Sequence, residues 1–181
     1  MTTRDLVLIA LFAAIVAALG VFPPITIPAI GVPITAQSLG VMLAGGVLGA
    51  RRGAMAIVLF LVLVAIGLPL LSGGRGGMGV FAGPTAGYLV GYVVGAFVVG
   101  FLVERLWSRL TYAMAFLACF IGAVVVLYAI GVPWSAFVAE VSMETAMGWS
   151  LIYIPGDTIK CIIAAIVIVL VKKTYPIIRP S

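Results

Sequence analysis

The feature that most restricts how this chain can fold is a set of six long apolar runs, separated by short polar or glycine-rich segments. Each run approaches the roughly 20 residues that an α-helix needs to cross the hydrocarbon core of a bilayer. Backbone polar groups cannot stay unpaired in lipid, so such runs form helices. The pattern predicts an all-α membrane protein with one domain over residues 1–181 and spans at about 6–22, 34–50, 54–71, 85–107, 110–131 and 153–171.

The small number of charged residues also indicates that lipid surrounds most of the chain. Only 8% of the residues are charged and 65% are hydrophobic, whereas a soluble domain draws roughly 25% of its residues from Asp, Glu, Lys and Arg. The chain has no His, and Cys119 and Cys161 lie inside apolar runs, which favours neither a metal site nor a disulfide. The first run could be a secretory signal, but its length and the membrane-like remainder favour a retained helix.

The connections between the runs alternate between two kinds. Basic connections lie at 51–52 and 104–109 and in the tail from residue 172, and proline- and glycine-rich ones lie at 23–33, 72–84 and 132–155. Cytoplasmic loops collect Lys and Arg, so the alternation predicts a multi-pass protein of the cytoplasmic membrane with both termini inside. The net charge of +5 is spread over these connections, which argues against a nucleic-acid partner. Arg75 and Lys160 are the two basic residues that fall on the outer half.

The start of the last run carries the strongest candidate for a binding site. Non-helical backbone at membrane depth persists only against protein or a wet cavity, so the outer connections predict a cavity that faces outside. Asp157 and Lys160 are three residues apart and share one helix face. Ionisable residues within a span are costly and indicate function. The alternative is an Asp at a helix start with a Lys that extends to the membrane interface.

Arg75 lies among glycines in the third connection and is the second candidate. Its guanidinium can bind a carboxylate through two parallel hydrogen bonds while the amides of Gly76 and Gly77 close around the ligand. The alternative is a solvated loop residue.

Uncharged side chains complete the candidate site. Gln37, beside Thr35, offers both a donor and an acceptor, or else serves as a polar cap at the interface. The aromatic residues that could line an apolar pocket, or instead belong to the interfacial belt, are Tyr88, Trp134, Trp149 and Tyr153.

Two ladders of small residues predict close helix packing. The first helix carries Ala10, Ala14 and Ala18, with Ala13 and Ala17 beside them, and this face could dock another subunit. The fourth helix carries Gly83, Gly87, Gly91 and Gly95, which we expect to pack within the fold.

Four motifs in order, VPITAQSLG at 32–40, LGARRG at 48–53, GPTAGY at 83–88 and IPGDTIK at 154–160, resemble the BioY family. Its members are the biotin-binding S components of energy-coupling factor (ECF) transporters. The resemblance implies a six-helix S-component fold that binds biotin near the outer face, under the first and third outer loops. It implies that a transmembrane coupling subunit contacts the alanines of the first helix. It also implies two cytoplasmic ATPase subunits and, for some members, action without them as homo-oligomers.

The expected function is therefore high-affinity capture and uptake of biotin, with no cofactor bound by this chain. The chain has no phosphate-binding loop, so ATP would be used by partner subunits. Asp157 can accept from a ureido N–H while Lys160 donates to the ureido oxygen, and Arg75 or glycine amides can hold the carboxylate. The reversed pose puts Lys160 on the carboxylate. One alternative is an S component or secondary carrier for another vitamin-like molecule. Another is an intramembrane enzyme, against which the lack of an acid–base pair argues.

Overall fold

The computed structural model describes residues 1–25 and 34–178, and its regular structure there is helical. Eight α-helices occur in this part: α1 Thr3–Leu19, α2 Gln37–Leu48, α3 Ala50–Ala65, α4 Ala86–Arg105, α5 Tyr112–Phe120, α6 Leu127–Val138, α7 Met143–Leu151 and α8 Ile154–Thr174. A π turn, Ile121–Val126, joins α5 to α6. The predicted all-α class is confirmed, while Pro28, Pro33 and Arg179 lie outside the described residues.

Three helices in the described part are long and apolar enough to cross a membrane. They are α4, the continuous helix Tyr112–Val138, and α8. Helices α1, α2 and α3 are shorter, with 17, 12 and 16 residues. The six-span count and the cytoplasmic termini therefore stay predictions.

The junction between α2 and α3 is tighter than the sequence indicated. Gly49 adopts a φ of +86°, which suits glycine alone, and the next helix begins at once. The carboxylate of Glu104 accepts the Ala50 N–H at 3.0 Å and caps that helix start. Arg51 and Arg52 lie in the first turn of α3, so the prediction that they form a connection was wrong.

The segment 132–155, predicted as an outer connection, is mostly helical. Helix α6 continues through Pro133 to Val138, and α7 follows. Two contacts hold the helix beyond the proline: Trp134 Nε1 donates to the Gly83 carbonyl at 3.0 Å, and Ser135 Oγ donates to the Pro84 carbonyl at 2.9 Å. Tertiary hydrogen bonds therefore outweigh the local cost of proline.

The glycine ladder of α4 packs within the fold, as predicted, at three of its four positions. Helix α4 lies at the centre and packs against α2, α3 and α6. A methyl group on Gly87 would collide with the Trp134 side chain, and one on Gly91 would lie 2.7 Å from Leu127 Cδ1. One on Gly95 would meet the π turn. Gly83 precedes the helix and makes no such approach.

The alanines of α1 divide between two faces. Ala10, Ala14 and Ala18 are exposed, Ala17 is half-buried, and Ala13 lies in the core with 2% of its surface exposed. Ala13 faces the protein's own interior. Ala10, Ala14 and Ala18 therefore form the outward surface, together with the exposed part of Ala17. Their contact with a coupling subunit stays a prediction.

Candidate functional site

A cavity of about 70 Å³ lies where α2, α4, α6 and α8 converge, and the connection between α3 and α4 covers part of it. Its lining combines hydroxyl, amide and charged groups with leucine and tyrosine side chains: Ile34, Thr35, Gln37, Ser38, Leu71, Arg75, Thr85, Tyr88, Leu89, Tyr92, Leu127, Tyr128, Tyr153, Asp157 and Lys160. The expectation of a cavity is confirmed, and its outward orientation stays a prediction. Its apolar walls with a few convergent polar groups are typical of a small-molecule site.

A buried ion pair forms the polar end of the cavity. Helix α8 begins at Ile154 with Pro155 in its first turn, and its Asp157 and Lys160 share one face because they are three residues apart. Lys160 Nζ donates to Asp157 Oδ1 at 2.8 Å, to Ser38 Oγ at 2.9 Å and to the Thr35 carbonyl at 2.6 Å. The interpretation of Lys160 as a side chain that extends to the membrane interface was therefore wrong.

The Asp157 carboxylate is held from three directions. Besides Lys160, Ser38 Oγ donates to Oδ1 at 3.2 Å and the Tyr128 hydroxyl donates to Oδ2 at 2.5 Å. The side chains of Asp157 and Lys160 are 6% and 15% exposed. A carboxylate has about four acceptor sites, so it retains room for an N–H of a ligand. Lys160 uses all three of its donors, so a ligand oxygen must share or replace one of its partners.

Arg75 lies at the rim of the cavity and borders a second hollow of about 450 Å³. Its Nε donates to the Ser72 carbonyl at 3.4 Å, and its two terminal nitrogens make no hydrogen bond or ion pair with the residues at 1–25 and 34–178. Within the described part of the chain they are therefore available to bind an anion.

The two glycines predicted beside Arg75 lie apart from the main cavity. Gly76 lines the second hollow rather than the first. The Gly77 N–H donates to the Val64 carbonyl at 2.7 Å and is already engaged.

The predicted uncharged residues contribute different chemical groups to the lining of the cavity, from the backbone in one case and from side chains in the others. Thr35 contributes its carbonyl, which Lys160 binds. Gln37 lines the wall, but its amide bonds to protein groups on both sides. The Tyr88 hydroxyl shares a hydrogen bond of 3.0 Å with Ser150 Oγ, and Tyr153 lies on the same wall.

The family of the chain follows from its match over almost the whole length. The model of the BioY family matches residues 1–177. The chain belongs to the BioY family.

Similar proteins agree with this BioY assignment. The chain is 57% identical to the biotin transporter BioY of Rhizobium etli, over 98% of each chain. It is 46% identical to the biotin transporter BioY of Rhodobacter capsulatus, over 98% of this chain and 96% of the relative. A crystal structure of the S-component for biotin from an ECF-type ABC transporter superposes with a TM-score of 0.93 at 32% identity, covering 98% and 97% of the two chains. The chain therefore shares the fold of this S-component over almost its whole length.

Several residues that line the cavity were not predicted from the sequence. The most important are Ser38, Tyr92 and Tyr128. Tyr128 lies 29 residues before Asp157 yet donates to its carboxylate. A usable signal was present, since a hydroxyl inside an apolar run needs a partner when buried. In the described ranges, no group of three or more His, Cys, Asp or Glu side chains could hold a metal ion.

Proposed function

We propose that this protein captures biotin outside the cell and serves as the substrate-binding subunit of an ECF-type importer. The observation that carries the proposal is the buried Asp157–Lys160 pair at the end of a tyrosine-lined cavity. Biotin combines an apolar bicycle and tail with a ureido group and one carboxylate, and each part has a counterpart in the cavity. Membership of the BioY family and the names of the relatives support the same substrate.

The ureido group belongs at the ion pair. Asp157 Oδ2 accepts one ureido N–H in addition to the Tyr128 hydroxyl. The ureido oxygen takes a donor from Lys160 by replacing the Thr35 carbonyl or Ser38 Oγ, the other two partners of that ammonium. The tyrosine rings and leucines then contact the bicycle.

The carboxylate belongs at Arg75. The Asp157–Lys160 pair is neutral as a unit, so a second carboxylate beside it would add an uncompensated buried charge, which is costly. Arg75 offers two terminal nitrogens at the cavity rim that no described residue engages, and they can bind the carboxylate side by side. This places the charged end of biotin toward the second hollow and its rings toward α8.

We place the protein in the cytoplasmic membrane with six crossings, both termini inside and the cavity toward the outside. Its exposed alanines Ala10, Ala14 and Ala18 contact a transmembrane coupling subunit, because small residues permit close helix approach. Two cytoplasmic ATPase subunits supply the energy, and homo-oligomers are the alternative assembly. The chain itself carries out no chemical step.

Calorimetric titration of the detergent-purified protein with biotin tests the proposal, with desthiobiotin, thiamin and riboflavin as comparators. We expect tight one-to-one binding of biotin without ATP. Asp157→Asn and Lys160→Ala each weaken it at least about tenfold, or 1.4 kcal/mol. Absence of biotin binding by a well-folded sample rejects the substrate, and unchanged affinity in both variants moves the site elsewhere.

A further inference from the structure

Gln37 was a candidate for contact with the ligand, yet its amide is fully bonded to the protein. Its Nε2 donates to the Val16 carbonyl at 3.2 Å and to the Leu70 carbonyl at 3.0 Å. Its Oε1 accepts the Ser72 N–H at 3.1 Å and the Ser72 hydroxyl at 3.4 Å. A primary amide has two donors and two acceptor sites, so all four are used. The side chain is 2% exposed.

These four bonds join three parts of the fold. Val16 lies in the last turn of α1, where the Gly20 N–H turns back to the Ala17 carbonyl and leaves the Val16 carbonyl without its helical partner. Gln37 is the first residue of α2. Leu70 and Ser72 belong to the connection between α3 and α4.

The connection held in this way carries two walls of the cavity. Residues 71–75 form a tight turn in which Leu71 and Arg75 exchange backbone hydrogen bonds, and both line the cavity. Gly73 and Gly74 have positive φ values of +82° and +69°, which the turn requires. Gln37 fixes this turn on the side of α1 and α2.

The approach of α1 to the connection depends on a missing side chain. Gly20 has an ordinary helical φ of −70°, so its backbone does not demand glycine. A methyl group there would collide with the Leu70 carbonyl oxygen and lie 2.9 Å from Gln37 Nε2. Gly20 lies outside the cavity lining, so its replacement disturbs the connection without touching the ligand site.

We infer that Gln37 is a positioning residue that latches the 70–75 turn to the end of α1 and so sets how long a bound ligand stays. This inference rests on the proposed function for the identity of the ligand. The latch holds Leu71 and Arg75 against the cavity, so its loss opens the rim and releases biotin faster. Association changes less, because the ion pair on α8 is untouched.

The test compares Gln37→Leu, Gly20→Ala and their double variant with wild type, and Gly148→Ala is the matched control. Gly148 lies on α7 with open space where the methyl group would point. Dissociation of radiolabelled biotin is followed after a chase with unlabelled biotin, association is measured separately, and hydrogen exchange is measured on peptides that contain Ser72. Exchange needs no biotin, so it reports on the latch even if the proposed substrate is wrong.

We expect both single variants to release biotin at least tenfold faster, with association within about threefold of wild type and faster exchange at residues 70–75. The double variant should be no faster than the faster single variant, because both changes break one latch. Gly148→Ala should match wild type. Unchanged exchange in Gly20→Ala and Gln37→Leu overturns the latch, and faster exchange with wild-type dissociation overturns its role in retention. If Gln37→Leu does not fold, Gly20→Ala alone decides.

Discussion

Replacement of Lys160 by Met separates the contribution of the buried ion pair to stability from its contribution to binding. The change leaves Asp157 charged, 6% exposed and without its cationic partner. Breaking a buried pair from one side costs about 3–5 kcal/mol of unfolding free energy. For a chain of this size each kcal/mol lowers the melting temperature by roughly 2–4 °C, so we expect a fall on the order of 10 °C.

The double variant Asp157→Asn/Lys160→Met removes both charges and should recover about half of that loss. What remains is the Thr35 carbonyl and Ser38 hydroxyl, which lose the Lys160 donor at a cost of about 1–3 kcal/mol. The double variant should therefore be about 2 kcal/mol more stable than Lys160→Met alone. Unfolding followed by intrinsic tryptophan fluorescence measures stability, and calorimetry measures biotin binding.

The two assays should disagree for the double variant. It should be more stable than Lys160→Met and yet bind biotin at least about tenfold more weakly than wild type, because neither the carboxylate nor the cation remains. If it is as unstable as Lys160→Met alone, the loss does not come from the unpaired Asp157 charge. The single variant Asp157→Asn is the matched control, since its amide oxygen still accepts from Tyr128.

Three further changes test other parts of the structure. Gly87→Ala places a methyl group in the contact between α4 and α6 and should lower the unfolding free energy by about 1–3 kcal/mol, measured by thermal unfolding, while Gly148→Ala should not. Tyr128→Phe removes one of the hydrogen bonds to the Asp157 carboxylate and should weaken biotin binding at least about tenfold by calorimetry. Ala14→Trp, on the exposed face of α1, should leave binding by the purified protein intact and reduce biotin uptake by cells.

Each of these changes has an outcome that contradicts its reasoning. Wild-type stability of Gly87→Ala would mean that the two helices separate at no cost. Wild-type affinity of Tyr128→Phe would show that Asp157 keeps its position without that hydroxyl. Normal uptake with Ala14→Trp would remove this face of α1 from the coupling contact, and Ser for Ala at the same position is the matched small substitution.

Local patterns were sufficient for the charged end of the site. Asp157 and Lys160 share a helix face because of their spacing, and Lys160 stands out because it opposes the charge rule for membrane topology. The all-α class follows from hydrophobicity alone. The glycine spacing of α4 also correctly indicated packing inside the fold, because only small residues permit such close approach.

Other features depend on contacts that are distant in sequence. The segment 132–155 was predicted as a connection, yet hydrogen bonds from Trp134 and Ser135 to the residues just before α4 hold α6 through Pro133. The role of Gln37 depends on the end of α1 and on the 70–75 turn, which no local pattern brings together. Tyr128 reaches Asp157 only because two helices meet. Such contacts are set by tertiary packing, which a single sequence does not display.

The π turn at Ile121–Val126 affects which side chains of α6 face the cavity. An α-helix turns about 100° per residue, and a π turn holds one residue more than an α turn of the same helix. The face that α5 presents therefore does not continue into α6, and Tyr128 is rotated by about that angle. If the same residues formed an ordinary α turn, Tyr128 would point away from Asp157 with the hydrophobicity of the span unchanged. The number of residues in this helix, as well as their chemistry, decides which side chains a substrate meets.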